Sequence, residues 1–430
     1  MKYGIRTAVA VTSLWAVFAL GEVNSIAEDT VSRTSAIERA VKAAVQLEAS
    51  AEDIRAYNGA IKQAGYKPNP TLIASFEDFT GSGPFTGLGR TEATFSYSQK
   101  VERGGKRQAR VALAQEQRRM AEVKWRIQRL DISRQAEETY IAVLVARAKL
   151  DVAKEQVAIA TRIASTFEER VKKGRETRLA LQSAKLQQVK AEQTVMETEQ
   201  MLWLAKRDLA TLWNMPQAVF SVDVSELQQM PVSLPVQAFV FENTPDMKIW
   251  DLNTKAASKS LKLEKSKAVQ DITWNAGLRY TEQTGNVSVV AGFTIPLAFN
   301  DTNAGNISRA KAGLRKSEYD REAVKLSLER TYLLAQQKRG AAFAQIRRLE
   351  TGLIPEAEKT EAAALERLNR GVATYLDVYA VQSQKTEIQN QLITEYEAFH
   401  KAQAVINRLT ARYDLESPSA ASSAISSEEQ

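Results

Sequence analysis

Glu169-Arg170-Val171-Lys172-Lys173-Gly174-Arg175-Glu176-Thr177-Arg178-Leu179 returns later in the chain as Glu366-Arg367-Leu368-Asn369-Arg370-Gly371-Val372-Ala373-Thr374-Tyr375-Leu376. Five of the eleven positions agree (Glu, Arg, Gly, Thr and Leu), and Arg367 lies 197 residues after Arg170. Each copy separates two stretches rich in Ala, Leu, Gln, Glu, Arg and Lys. The glycine is therefore predicted to be the left-handed residue that stops one helix, and the threonine the N-cap that starts the next. Both copies read as tips of helical hairpins. Their interval is far longer than a solenoid repeat and close to the length of a whole domain, so the chain reads as an internal duplication.

The surrounding sequence divides accordingly into a first repeat at 28–213, a linker at 214–245 punctuated by Pro216, Pro231, Pro235 and Pro245, and a second repeat at 246–415. The stretch from Arg107 to Lys172 contains neither glycine nor proline, which predicts a helix of ~100 Å at 1.5 Å per residue. A return helix from Thr177 to about Trp213 carries Val195, Leu202 and Leu209 in heptad steps. The second repeat matches it with a long helix from Ile307 to Arg370, bent near Pro355, and a return from Thr374 to about Arg412 that carries Leu392, Phe399 and Ile406. Ahead of the first long helix, Ser35-Ala36-Ile37-Glu38 has capping-box spacing and opens a helix to about Ala64.

Between helices the hydrophobic period drops to two. Leu72, Ala74 and Phe76, then Ala93, Phe95 and Tyr97, alternate with polar neighbours; so do Trp274, Ala276, Leu278 and Tyr280, followed past a Gly285-Asn286 turn by Val287, Val289, Ala291 and Phe293. Each repeat thus supplies two amphipathic strands of the length that crosses a hydrocarbon layer when tilted. Four strands cannot close a barrel, whose minimum is about eight, so closure is expected to be shared between chains. Phe95, Tyr97, Trp274, Tyr280 and Phe293 are the candidate membrane-strand residues.

Residues 1–27 have the charged start, apolar run and Ser25-Ile26-Ala27 ending of a secretory signal peptide, and 416–430 read as a disordered tail. There is no cysteine, and the net charge of +7 is spread over mixed-sign helices, which is a solvated surface and not a nucleic-acid footprint. His400 is the only histidine. The sequence shows no nucleophile–base constellation, and Gly104-Gly105-Lys106 lacks the spacing of a phosphate loop. Neither an enzyme, nor a cofactor, nor a dedicated metal site is expected.

In this arrangement the chain resembles the TolC-type outer-membrane efflux channels, from roughly Ser35 to Ala411. The tips fit that family's Arg-x-x-x-Gly followed by Leu-Asp-Val, complete as Arg367, Gly371, Leu376, Asp377 and Val378; in the first tip Leu179-Ala180-Leu181 stands in the last three places. The stretch Gln99-Lys100-Val101-Glu102-Arg103-Gly104-Gly105-Lys106-Arg107 is similar to the heavy-metal (divalent cation) branch typified by CzcC. So are Phe293-Thr294-Ile295-Pro296-Leu297-Ala298-Phe299-Asn300 and Gly305-Asn306-Ile307. The resemblance implies a mostly α fold with a small β part. Duplicated antiparallel hairpins would form an α-barrel through the periplasm, and four strands per chain would form a shared trimeric β-barrel in outer-membrane lipid.

It implies a homotrimer, a periplasmic adaptor (membrane fusion) protein and an inner-membrane resistance-nodulation-division pump as partners, and a passive duct for heavy-metal cations. Competing readings are an exit channel for drugs or for type I protein secretion, and a periplasmic coiled-coil adaptor or scaffold. Arg170, Gly174, Thr177, Arg367, Gly371 and Thr374 are the expected adaptor-docking tip residues, and Asp377 the expected pore-entrance acid. Some relatives are held shut by polar links between tip helices; the corresponding places here are Leu368, Ala373 and Ala180, so that lock cannot form.

Overall fold

A computed structural model of the chain describes residues 30–215, 217–234 and 239–416. The signal peptide expected at 1–27 lies outside them, as do Pro216, Pro235 and all of the expected tail beyond Glu416. The first helix, α1 (Arg33–Ala43), begins earlier than Ser35-x-x-Glu38 predicts, because Ser32 is the N-cap and its hydroxyl accepts from Ser35 N. Ala44 leaves helical geometry, and α2 (Val45–Gly65) continues beyond this break. The expected single helix is thus two.

Strands β1 (Thr71–Glu77) and β2 (Glu92–Val101) lead into α3 (Lys106–Lys172), a 67-residue helix that is ~100 Å long. Its return partner α4 (Arg178–Leu212) is followed by a connector holding the short α5 (Ser225–Gln228). The second repeat runs α6 (Pro245–Lys267), β3 (Ile272–Thr281), β4 (Asn286–Thr294), α7 (Ala304–Arg348), α8 (Ile354–Asn369), α9 (Tyr375–Leu409) and α10 (Arg412–Glu416). The irregularity expected near Pro355 is a π-helical turn, Leu349–Leu353, just before that proline. Pro355 has no N–H to return to the preceding turn, and the widened turn absorbs the missing bond.

All four strands form one antiparallel sheet in the order β1-β2-β3-β4, so the two repeats are joined at β2–β3. At that seam Gly277 is required, since a Cβ there would lie 2.2 Å from the Phe95 carbonyl oxygen. Where the sheet meets the helices, Asp271 accepts from Lys106 Nζ at 2.6 Å and from Arg103 N at 3.0 Å. Gly104, at φ +68°, leaves room for Val269. The double glycine therefore serves this junction.

The main core lies along the middle of the helices, around Tyr140, Ile141 and Leu144 of α3, Leu209 of α4, Ile346 of α7 and Phe399 of α9. Leu202 and Leu209 are buried there, with Val195 and Leu392 packed against it, whereas Ile406 joins a neighbouring cluster with Phe241, Met247 and Tyr332. Trp213 Nε1 donates to Ala36 O at 2.9 Å and Tyr140 Oη to Val31 O at 3.0 Å, tying the chain's first described segment to this level.

Candidate functional site: hairpin tips and apolar sheet face

The two tips share one backbone design. Gly174 and Gly371 have φ of +69° and +78°. In the first, Arg175 N donates to Arg170 O at 2.8 Å and Gly174 N to Val171 O at 3.0 Å; in the second, Val372 N donates to Arg367 O at 2.9 Å and Gly371 N to Leu368 O at 3.0 Å. Both are Schellman terminations, and the Arg-x-x-x-Gly spacing puts arginine at the third helical residue from the end and glycine at the left-handed position.

The restarting helices are capped by the two threonines: Thr177 Oγ1 accepts from Ala180 N at 3.2 Å, and Thr374 Oγ1 from Asp377 N at 3.3 Å. Asp377 completes a capping box, its Oδ2 accepting from Thr374 N at 2.8 Å and from Thr374 Oγ1 at 2.7 Å. These bonds from Thr374 hold its carboxyl below the ordinary aspartate range. The first tip has Ala180 at that place, and Glu176 supplies the substitute carboxylate, accepting from Thr177 N at 3.0 Å.

The arginines do not behave alike. Arg170 reaches across to the other hairpin, where its Nη2 donates to Leu368 O at 2.7 Å and Asn369 O at 3.3 Å. The end of α8 thereby takes a side-chain donor from α3, added at Leu368 O to the bond it already accepts from Gly371 N. The guanidinium also sits 5.9 Å from the Phe167 ring centre, and Phe167 meets Tyr375 edge-on at 5.7 Å. Around them Ile163, Ala164, Ala184, Leu368 and Val378 are buried, with Ala180 and Ala373 packed alongside. The places of the absent polar lock are thus filled by an apolar cluster. Outside it, Leu179 and Leu376 are 76% and 69% exposed at matching positions, and Lys172 and Lys173 of the first tip are exposed as well.

At the other end, strand register gathers the alternating residues into four rows. Phe76, Ala93, Tyr280 and Val287 form the row farthest from the helices; then come Ala74, Phe95, Leu278 and Val289; Leu72, Tyr97, Ala276 and Ala291; and, nearest the helices, Gln99, Trp274 and Phe293. This is one continuous apolar face ~20 Å tall at about 3.4 Å per residue. It is exposed, Val289 by 79% and Phe293 by 62%. The opposite face is polar, and there Arg279 pairs with Glu92 at 2.8 Å and donates to Thr94 Oγ1 at 3.1 Å. β1 and β4 are unpaired edges. Among the described residues no helix is long and apolar enough to cross a membrane.

Residues 36–215 match the model of the family "Outer membrane efflux protein". The cobalt-zinc-cadmium resistance protein CzcC of Cupriavidus metallidurans is 27% identical over 382 residues, which cover 88% of this chain and 89% of that one. Over this segment, and along most of its length to CzcC, the chain is similar to outer membrane efflux proteins. A second relative, the nickel-cobalt-cadmium resistance protein NccC of Alcaligenes xylosoxydans xylosoxydans, is 20% identical over 292 residues, 67% of this chain and 66% of that one. Two solved structures share the fold. CusC has a TM-score of 0.73 at 15% identity, covering 88% of this chain and 91% of that one. VceC of Vibrio cholerae has a TM-score of 0.69 at 19% identity, covering 88% and 96%.

Three features of the chain were not legible in the motifs. One is the reach of Arg170 to the opposite hairpin; another is the substitution of Glu176 for the missing capping carboxylate. The third is His400, which is buried, donates from Nε2 to Leu227 O at 2.8 Å and faces Arg33 Nη2 from Nδ1 at 3.4 Å. Burial, followed by the Arg33 charge, lowers its pKa to about 4. Among the described residues no group of three or more His, Cys, Asp or Glu could hold a metal ion.

Proposed function

We propose that three copies of this outer-membrane efflux protein close their sheets into one barrel and form the passive exit duct of a tripartite efflux system for heavy-metal cations. The observation that carries this reading is the exposed apolar sheet face at one end of two ~100 Å hairpins, bounded by two open strand edges. An apolar band of this height suits lipid, and open edges are tolerated in a membrane only when other strands pair with them. Phe95, Tyr97, Trp274, Tyr280 and Phe293 then face lipid, and the polar face with Arg279 lines the lumen.

The tips are the docking end for a periplasmic adaptor, which links the duct to an inner-membrane pump. Gly174 and Gly371 shape them, Thr177 and Thr374 restart their helices, Arg170 and Arg367 occupy matching places, and Leu179 and Leu376 offer exposed apolar contacts. Asp377, kept ionised by Thr374, adds one carboxylate per copy near the entrance and favours cations there. The two resistance proteins named above support cobalt, zinc, cadmium or nickel as cargo.

The test is a deletion strain challenged with these ions. The parent chain restores tolerance. A chain with Phe95→Arg and Phe293→Arg, which puts charge on the lipid face, does not, and it is lost from the outer-membrane fraction. Full tolerance from that variant would overturn the reading.

A further inference from the structure

Above the apolar tip cluster the packing between the hairpins is interrupted by a cavity of about 290 Å³. Its lining is mixed: Glu155, Gln382 and Gln389 are polar, and Ile159, Ile163 and Tyr375 add apolar surface. Glu361 Oε1 and Gln382 Nε2, two buried atoms of lining residues, have no hydrogen-bond partner among the described residues. A charge cluster, buried at Lys385 and Glu361 and half-exposed at Glu155, spans this level: Lys385 Nζ of α9 donates to Glu361 Oε2 of α8 at 2.8 Å and to Glu155 Oε1 of α3 at 2.9 Å.

We propose that Lys385 is a positioning residue that sets the separation of the two hairpin tips, through its cross-hairpin bond to Glu155. Lys385 lies ten residues beyond Tyr375, about 15 Å along the helix, so a small change of angle at the tie is carried to the tip. The bond to Glu361 stays inside the second hairpin and keeps the ammonium aimed at Glu155. Burial by itself would lower the Lys385 pKa, but the bonds from Glu361 and Glu155 outweigh it and raise the value, so the tie is ionic at neutral pH. A lysine with both hydrogen bonds made and one carboxylate on each hairpin fixes orientation in a way that greasy contacts around a cavity cannot.

The chain has no cysteine, so Lys173→Cys and Arg370→Cys place one spin label on each exposed tip. The measurement is the label-to-label distance by pulsed electron resonance, in the assembled full-length protein diluted with unlabelled chains. The parent gives a narrow distribution. Lys385→Met and Glu155→Gln each broaden it and move it to longer distance while the amount of assembled protein stays the same, and Lys385→Arg returns it toward the parent. Glu155 is only half-buried, so its variant folds even where the lysine variant does not. An unchanged distribution in folded Glu155→Gln overturns the proposal. The distance readout is independent of what docks at the tips. Only a parallel loss of metal tolerance rests on the docking reading, and a broadened distribution with normal tolerance would remove that reading while leaving the positioning role in place.

Discussion

Arg170 of the first hairpin caps the second: its Nη2 donates to the Leu368 carbonyl at 2.7 Å, at the last turn of α8. Arg367, the matching residue 197 positions on, holds the same place in its own Schellman turn. The tips are duplicated in backbone, and the cross-hairpin hydrogen bond described here comes from the first repeat's arginine. A charged donor on a carbonyl at a helix end contributes about 1.5–3 kcal/mol before solvent screening of a part-exposed pair is counted.

Arg170→Ala is therefore expected to loosen the tips more than Arg367→Ala, and Arg170→Lys to recover only part of the loss, because a single ammonium cannot serve both carbonyls and stack on Phe167. Hydrogen exchange of the Leu368–Val372 amides checks this. Equal protection in the two alanine variants would remove the asymmetry.

The glycines divide by mechanism. Gly174 and Gly371 have open space around them and are needed only for positive φ, so Val at either costs about 1–2 kcal/mol locally and leaves assembly intact while efflux is lost. Gly277→Ala must push Phe95 and Ser96 aside, which costs more than about 3 kcal/mol and prevents the repeats from pairing. Heat-modifiable migration of the assembled protein separates the two classes.

On the sheet, Phe95→Arg, in an inner row of the apolar face, is expected to cost about 2–4 kcal/mol near the bilayer midplane. Ser98→Arg, on the polar face of β2, is expected to insert normally. Membrane-fraction recovery of the two variants, compared at equal expression, decides whether the faces are assigned correctly.

Asp377 combines a cap with a charge. Asp377→Asn keeps an acceptor for the Thr374 backbone but loses the charge, so cation preference in planar-bilayer recordings should fall while the helix start stays protected. Asp377→Ala should lose both the charge and the return bond of the capping box. The selectivity change should be largest at about 0.01 M salt, where the Debye length is about 30 Å. Parental selectivity in the asparagine variant would leave only the cap.

For His400 the sign follows from a folded pKa of about 4 against about 6.5 in the unfolded chain. The neutral ring is the folded form, so stability is fully present above pH ~6.5 and falls as pH drops toward ~4, by on the order of 3 kcal/mol. His400→Gln can still donate to Leu227 O and cannot titrate. Its Tm, followed by helical circular dichroism in detergent, should be flatter than that of the parent across this window.

The hairpins, the strands and both tips can be read from the chain alone, because each is a local matter. A glycine at positive φ, a threonine N-cap, a helical run free of glycine and proline and a period of two are written within a dozen residues of one another. The sequence misjudged the first helix for the same reason, since Ser32 and Ser35 are equivalent as local caps and the break at Ala44 has no local breaker. Tertiary structure alone decided that Arg170 reaches Leu368, that Lys385 finds Glu155 on another hairpin, and that the four rows of the sheet align into one apolar face. Those outcomes depend on helix azimuth and strand register between segments far apart in the chain. A rotation or a one-residue slip would change every partner while leaving each local pattern intact.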